Sequence, residues 1–248
     1  MGFLAAVRFL TIIPIPGHKL SPREVGRSIV YFPLVGGIIG LILIFLNWLL
    51  GFILPPALAY LLLVISLVIV TGGLHLDGLA DTCDGMVGQK TAEERWQVMK
   101  DSRTGAFGII GVCCLLLLKY IALISVPSTW LMPTLVLMPV VSRWTMVCAI
   151  FTYPYAKPSG VGKIFKDEAG STAFLAATVI ALAIALMPAR LVGLMVMFGT
   201  GIIVMAIAFY LKNRFGGLTG DNYGAINELA EVMVLILVCF LAHVGWLS

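Results

Sequence analysis

Apolar stretches long enough to cross a lipid bilayer recur along almost the whole chain. "LAYLLLVISLVIVTGGL" at 58–74 is one of them. Inside lipid no water is available to the backbone, so a spanning segment must be a helix or part of a closed barrel. Uninterrupted apolar runs of about 18 residues or more select the helix. Composition agrees, because 60% of the 248 residues are hydrophobic and only 11% are charged. Ordinary soluble domains carry about a quarter charged residues.

The runs predict an all-α, polytopic helical membrane protein with about seven transmembrane helices, at 31–53, 57–76, 105–126, 130–154, 171–188, 190–211 and 224–246. Pro55-Pro56, Pro127 and Pro188 punctuate tight turns, and 14–30, 77–104, 155–170 and 212–223 form the long connections. Met1 to Ile13 has no signal-peptide cleavage site and runs into Pro14 and Pro16, which end a first amphipathic turn of chain.

Charge sorts by side. Arg8, Lys19, Arg23, Arg27, Lys90, Arg95, Lys100, Arg103, Lys157, Lys163, Lys166, Lys212 and Arg214 fall on one side of the predicted spans. Arg190 alone falls on the other, while Lys119 and Arg143 lie within spans. Positive loops stay in the cytoplasm, so the amino terminus is expected there and the carboxyl terminus outside. All twelve acidic residues lie on or near the same cytoplasmic side. That favours an enzyme with a cytoplasmic substrate over a transporter, which would show ionisable residues at mid-membrane and paired, interrupted halves. A metal or solute transporter stays as the rival from another class. The net charge of +4 does not indicate nucleic-acid binding, and the five cysteines show no metal or disulfide spacing.

"HLDGLADTCDG" at 75–85 closes the second run with three carboxylates. On a helix, Asp77, Asp81 and Asp84 fall within a sector of roughly 60°. At about 6 Å and an effective dielectric of about 20, neighbours repel by roughly 2–3 kcal/mol. A hard divalent cation such as Mg²⁺, Mn²⁺ or Ca²⁺ relieves that repulsion. A single Asp at a span end reads as a solvated cap; three on one face point to a metal site. Gly78, Ala80 and Gly85 let another helix or a phosphate approach the backbone. His75 lies on the opposite face and reads as structural or interfacial.

Downstream, Thr91 and Glu94 have capping-box spacing, which accounts for Glu94 without chemistry. Asp101, among Lys100, Ser102 and Arg103, is placed to complete a carboxylate cage, while Lys100 and Arg103 would meet phosphate oxygens or simply anchor a span end. "RFGGLTGDNYGAINE" at 214–228 is a second candidate: Gly216, Gly217 and Gly220 precede a helix whose N-terminus can receive phosphate or ribose. Asp221 is either an N-cap or a site residue. Glu228, at i+7 from Asp221, and Glu231 would bind a polar substrate edge, bind a ribose or accept a proton. Arg143 is either functional or one half of an Arg–Glu pair tying the fourth span to the seventh. Lys119 reads as snorkelling or packing, and "GGIIG" at 36–40 as a helix-packing face.

Asp81, Asp84, Gly85 and Asp101 resemble the start of the CDP-alcohol phosphotransferase motif, in which aspartates on two helices hold divalent metals beneath a nucleoside diphosphate. The expected Ala-Arg pair is Gly88-Gln89, and the expected last aspartate is Gly105, so that family's general base does not transfer.

A closer resemblance covers nearly the whole chain, through "RFLTIIPIP", "YFPLVGGIIG", "GGLHLDGLADTCDG", "MKDSRTGAFG", "SRW", "YPYAK" and "RFGGLTGDNYGAINE". These resemble the cobalamin synthase (adenosylcobinamide-GDP ribazoletransferase) family, with Lys157 standing where arginine is expected. Lysine keeps the charge and loses a planar bidentate donor. The resemblance implies a single membrane-embedded transferase domain over 1–248, in the cytoplasmic (inner) membrane of a bacterium or archaeon. It implies Mg²⁺ as cofactor, and adenosylcobinamide-GDP and α-ribazole, or its 5′-phosphate, as substrates. The products are adenosylcobalamin, or its 5′-phosphate, and GMP. Further partners are the lipid bilayer and either a second copy or other late enzymes of cobalamin synthesis. On this reading Asp77, Asp81, Asp84 and Asp101 hold metal around the pyrophosphate. Lys100, Arg103 and Arg214 neutralise phosphate charge, Asp221 and Glu228 serve catalysis, and Gly85, Gly216, Gly217 and Gly220 let the substrate approach.

Overall fold

The computed structural model describes residues 2–16, 20–88, 90–101 and 103–247. Lys19 of the charge asymmetry, Gln89 of the departed Ala-Arg pair and Ser102 beside Asp101 lie outside the described residues. Regular structure among the described residues is helical, apart from one isolated bridge between Tyr155 and Leu218. The helices are α1 (Gly2–Leu10), α2 (Pro22–Arg27), α3 (Phe32–Leu50), α4 (Pro56–Val70), α5 (Leu74–Met86), α6 (Ala92–Met99), α7 (Ala106–Ser125), α8 (Ser128–Thr152), α9 (Val161–Glu168), α10 (Ser171–Phe215) and α11 (Gly220–His243).

Five helical segments are long and apolar enough to cross a membrane, and α4 with α5 makes a sixth if that bent pair is one crossing. The protein is therefore a polytopic helical membrane protein, divided differently from the expected seven spans. The first apolar helix starts at Pro22, within the expected loop, because Ser21 caps it in a box with Glu24 and a short 3-10 turn carries it into α3. The 57–76 run breaks at Gly72 and Gly73, whose φ of 63° and 69° only glycine adopts freely; α5 leaves α4 at 88°.

Spans 171–188 and 190–211 are joined in α10, which breaks at Arg190 (φ 49°, ψ −133°) two residues after Pro188. Proline removes a helix hydrogen bond and favours such a break. Trp144 of α8 reaches both arms: its Nε1 donates to Thr178 Oγ1 at 3.1 Å, and its ring edges against Phe198. Twenty residues of straight helix span about 30 Å, so the two arms fold back on each other.

α8 is the axis of the bundle, buried along nearly its whole length against α3, α10 and α11. Lipid offers no hydrophobic drive for helix association, so close backbone approach must supply the contact. Gly36 and Gly40 provide it against α8, where a Cβ on Gly40 would lie 2.8 Å from Val136 Cα. "GGIIG" is thus a packing face. Ala177, Ala181, Ala185 and Ala189 form a second small-residue seam on α10, all buried. Large apolar side chains such as Leu41, Phe45, Trp48, Leu117 and Ile202 stay exposed along the bundle exterior.

Candidate functional site

α5 carries the acidic face. Its carboxylates lie beside the start of α7 on one flank and the start of α11 on the other. The α11 contact is very close: a Cβ on Gly78 would sit 2.7 Å from the Asp221 carbonyl oxygen. Asn222 then donates to Thr82 Oγ1 at 3.0 Å, fixing the register of the two helices.

The three aspartates predicted on one face do lie on one helix, yet they do different things. Asp84 accepts from the backbone N–H groups of Gly105 (2.7 Å) and Gly108 (2.8 Å). Gly105 has no side chain to cap α7, so Asp84 caps it from a neighbouring helix, where the N-terminal partial positive charge favours a carboxylate. A Cβ on Gly108 would collide with the same carboxylate at 2.5 Å. The missing last aspartate of the phosphotransferase pattern thus has a physical counterpart, since Gly105 stands where the Asp84 carboxylate needs room. Asp81 is half-buried and feels Asp221, Asp77 and Asp84 as repulsion and Lys157 as attraction. Asp77 is exposed at the mouth of a cavity shared with Asp221.

Two spaces adjoin this cluster. An open cleft of about 830 Å³ is lined by Asp81, Asp84, Lys90, Glu94, Asp101 and Arg103. A smaller cavity of about 390 Å³ lies between α5, α11, α9 and the segment 155–160, with Asp77, Lys157 and Asp221 among its lining. Lys157 Nζ stands 3.4 Å from Asp221 Oδ2. The segment that carries it is pinned by Ala156 N–H to Leu218 O (2.8 Å) and Leu218 N–H to Pro154 O (2.9 Å).

The other candidates separate. Thr91 and Glu94 form the expected capping box, and His75 is buried against Asn227 in the lining of the smaller cavity. Asp101 lines the open cleft, but both its oxygens are taken by Arg103, at 3.1 Å (Nε) and 2.9 Å (Nη2). That guanidinium holds the Asp101 carboxyl down to about 2. Lys100 is exposed and Arg214 stacks over Tyr210 at 5.2 Å; neither lines the two spaces. Asp221 is not the N-cap of α11, because Thr219 caps it in a box with Asn222. Gly85 abuts Met99 and Phe215, Gly216 ends α10 with φ 70°, and Gly217 (φ 143°) packs on the Pro154–Ala156 backbone. Gly220 alone of the four lines the smaller cavity.

Glu228 and Glu231 turn into the bundle. Lys119 Nζ bridges them at 2.7 and 2.6 Å, and Arg143 pairs with Glu231. Lys119 does not snorkel: it is buried because two carboxylates on α11 compensate its charge in low dielectric. The Arg–Glu pair tying α8 to α11 uses Glu231, and Asn227 Nδ2 joins at 3.3 Å. Lys157 was singled out in the sequence only as a departure, and Tyr223 not at all; their signal lies in tertiary contact with Asp221 and the cavity.

Among the described residues, no group of three or more His, Cys, Asp or Glu is arranged to hold a metal ion. Mg²⁺ ordinarily takes one or two carboxylates, several waters and substrate phosphates rather than an all-protein cage. Asp81, crowded by like charges and without a hydrogen-bond donor of its own among the described contacts, fits that requirement with Asp77 beside it.

The chain matches the family model described as cobalamin-5-phosphate synthase over residues 2–239. It is 38% identical over 236 residues to an adenosylcobinamide-GDP ribazoletransferase of Geotalea daltonii, covering 94% of this chain and 95% of the relative. The same enzyme name attaches to relatives in Roseiflexus sp. (36% over 231 residues, 93% and 86% covered) and Clostridium botulinum (37% over 242 residues, 95% and 96% covered). No solved structure matches the chain. On full-length agreement of this kind, the chain belongs to the cobalamin-5-phosphate synthase family.

Proposed function

We propose that this protein is an adenosylcobinamide-GDP ribazoletransferase. The observation that carries the reading is the carboxylate cluster around Asp81, set between an open cleft and a smaller cavity in a chain of this family. A transferase joining two substrates needs two adjoining spaces with a charge-handling centre between them. The open, polar cleft suits the bulky GDP-activated corrinoid.

The reaction is exchange at phosphorus. A ribazole hydroxyl oxygen bonds to the corrinoid-side phosphorus, the bridging P–O bond breaks, and GMP leaves with the bond electrons. Asp221, at the mouth of the smaller cavity and steadied by Lys157, is the carboxylate we assign to receive the hydroxyl proton. Glu228 is left out of this role, since Lys119 holds it inside the bundle. Arg103 and Lys90 on the cleft wall are the cations nearest to hand for phosphate oxygens. We keep Lys100 and Arg214 as outer cations that would meet substrate only by moving.

Mg²⁺ is proposed at Asp81 with Asp77, Asp84 and Asp101 around it. When bound, it would neutralise charge on the bridging and leaving oxygens. Asp84 must first share or leave its amide partners, and Asp101 must leave Arg103, so Asp81 and Asp77 are the primary pair.

The site is proposed to face the cytoplasm of a bacterial or archaeal cell, with the amino terminus on that side and seven crossings in all, counting both arms of α10. The one-sided distribution of Lys and Arg supports this topology. Incubating the purified chain with adenosylcobinamide-GDP, α-ribazole and Mg²⁺ tests the function: GMP and a cobalamin should appear together, and uptake into proteoliposomes without nucleotide consumption would contradict it.

A further inference from the structure

The smaller cavity carries two features that the pyrophosphate chemistry leaves unexplained. Its inner wall is aromatic: Phe9, Phe32 and Phe165 form a mutually packed trio with ring centroids 4.7–6.0 Å apart, and Tyr155 faces Tyr223 at 6.2 Å. Two residues of its lining, His75 and Tyr223, are both 3% exposed. Each has a buried polar atom, His75 Nε2 and the Tyr223 hydroxyl, with no hydrogen-bond partner among the described residues. Buried polar atoms without partners cost about 1–3 kcal/mol each, so a pair around one cavity points to a missing ligand.

The network behind the cavity sets what the histidine offers. Asn227 Nδ2 points at the Glu231 carboxylate (3.3 Å), which fixes the amide orientation, and it also lies 3.1 Å from His75 Nδ1. That nitrogen therefore accepts, and the ring proton sits on Nε2, which is a donor.

We propose that this cavity is the acceptor subsite and takes the dimethylbenzimidazole base of α-ribazole, a proposal that rests on the transferase reading. Small-ligand pockets run from about 300 to 1,000 Å³. At about 390 Å³ the cavity admits one nucleoside and excludes a corrin ring. Guanine, the other base in the reaction, presents three N–H donors and several acceptors at its edges. Two interior polar atoms would leave most of these unpaired. Dimethylbenzimidazole in its riboside has a single free ring nitrogen, an acceptor, and two methyl groups. The His75 Nε2–H answers that nitrogen, the aromatic wall answers the ring faces and methyls, and the Tyr223 hydroxyl meets a ribose oxygen. The mouth then holds the ribose beside Asp77, Lys157 and Asp221, with its hydroxyl at the acidic cluster.

The test is direct binding of α-ribazole to the detergent-solubilised full chain without the corrinoid substrate, followed by the intrinsic fluorescence of the base. Wild type should bind saturably, and excess GMP should not displace the ligand. Tyr223→Phe, which keeps the ring and removes one hydrogen bond, should weaken binding about three- to tenfold. Phe9→Leu should weaken it through loss of an aromatic face, and Asp81→Asn should retain it while losing transfer. Displacement by GMP, or unchanged binding in both cavity variants, would overturn the proposal. Failure of wild type to release GMP from the substrate pair, with α-ribazole binding and its variant pattern intact, would instead sink the transferase reading.

Discussion

Asp81 and Asp84 stand one helical turn apart and do different work. Asp84 caps α7 through two amide hydrogen bonds, while Asp81 sits among like charges. Loss of a cap costs about 0.5–2 kcal/mol, so Asp84→Ala should lower the melting temperature as well as the rate. Asp81→Asn should leave the melting temperature unchanged or raise it, because it relieves repulsion. Thermal unfolding of the two variants side by side checks the division. Asp101 makes a pH statement: the Arg103 guanidinium holds its carboxyl at about 2 in the folded protein, below the ordinary aspartate value. A depressed carboxyl contributes its stability above the unfolded value and loses it as pH falls through the folded one. Asp101→Asn should therefore leave the shape of the pH–rate profile unchanged between about pH 5 and 9. A limb lost in that window would contradict the pairing. The acidic face was legible in the sequence from the 77, 81, 84 spacing alone. The capping role was not, because it depends on where Gly105 arrives from another helix.

At the scale of elements, backbone proximity and buried charge hold the site in place. Gly78→Ala would push a methyl against the Asp221 carbonyl and separate α5 from α11. Overpacking costs about 1–3 kcal/mol, and activity should fall further than stability because both flanks of the site move. The charge network of α7, α8 and α11 predicts a larger effect. Lys119→Met leaves Glu228 and Glu231 without their shared cation and should cost about 3–5 kcal/mol, read by chemical denaturation in detergent. Lys119→Met combined with Glu228→Gln should recover part of that loss. "GGIIG" and the Thr91–Glu94 box were legible because small-residue spacing and capping are local signals. The Lys119 partners were not: they lie more than a hundred residues away in sequence, and periodicity carries no information about which helix faces which.

For the whole molecule, the apolar runs made the all-helical membrane class legible, and Pro188 marked the turn that the structure places at Arg190, whereas the bend of α5 away from α4 at Gly72-Gly73 was not legible. Single residues of special backbone geometry are weak signals inside a long hydrophobic run. The proposed topology predicts that reporters fused at the two termini lie on opposite sides of the membrane. Reporters on the same side would contradict it. In the proposed assignment, Asp81 is the one chemical centre of this architecture, between a cleft proposed for the activated corrinoid and a cavity proposed for the nucleoside. GMP release from adenosylcobinamide-GDP and α-ribazole, measured for wild type and Asp81→Asn at saturating Mg²⁺, tests that assignment most directly. Wild type should give GMP and cobalamin in equal amounts, and the variant, while staying folded, should fall on the order of 10²–10³-fold. An Asp81→Asn protein that releases GMP at the wild-type rate would contradict the assignment.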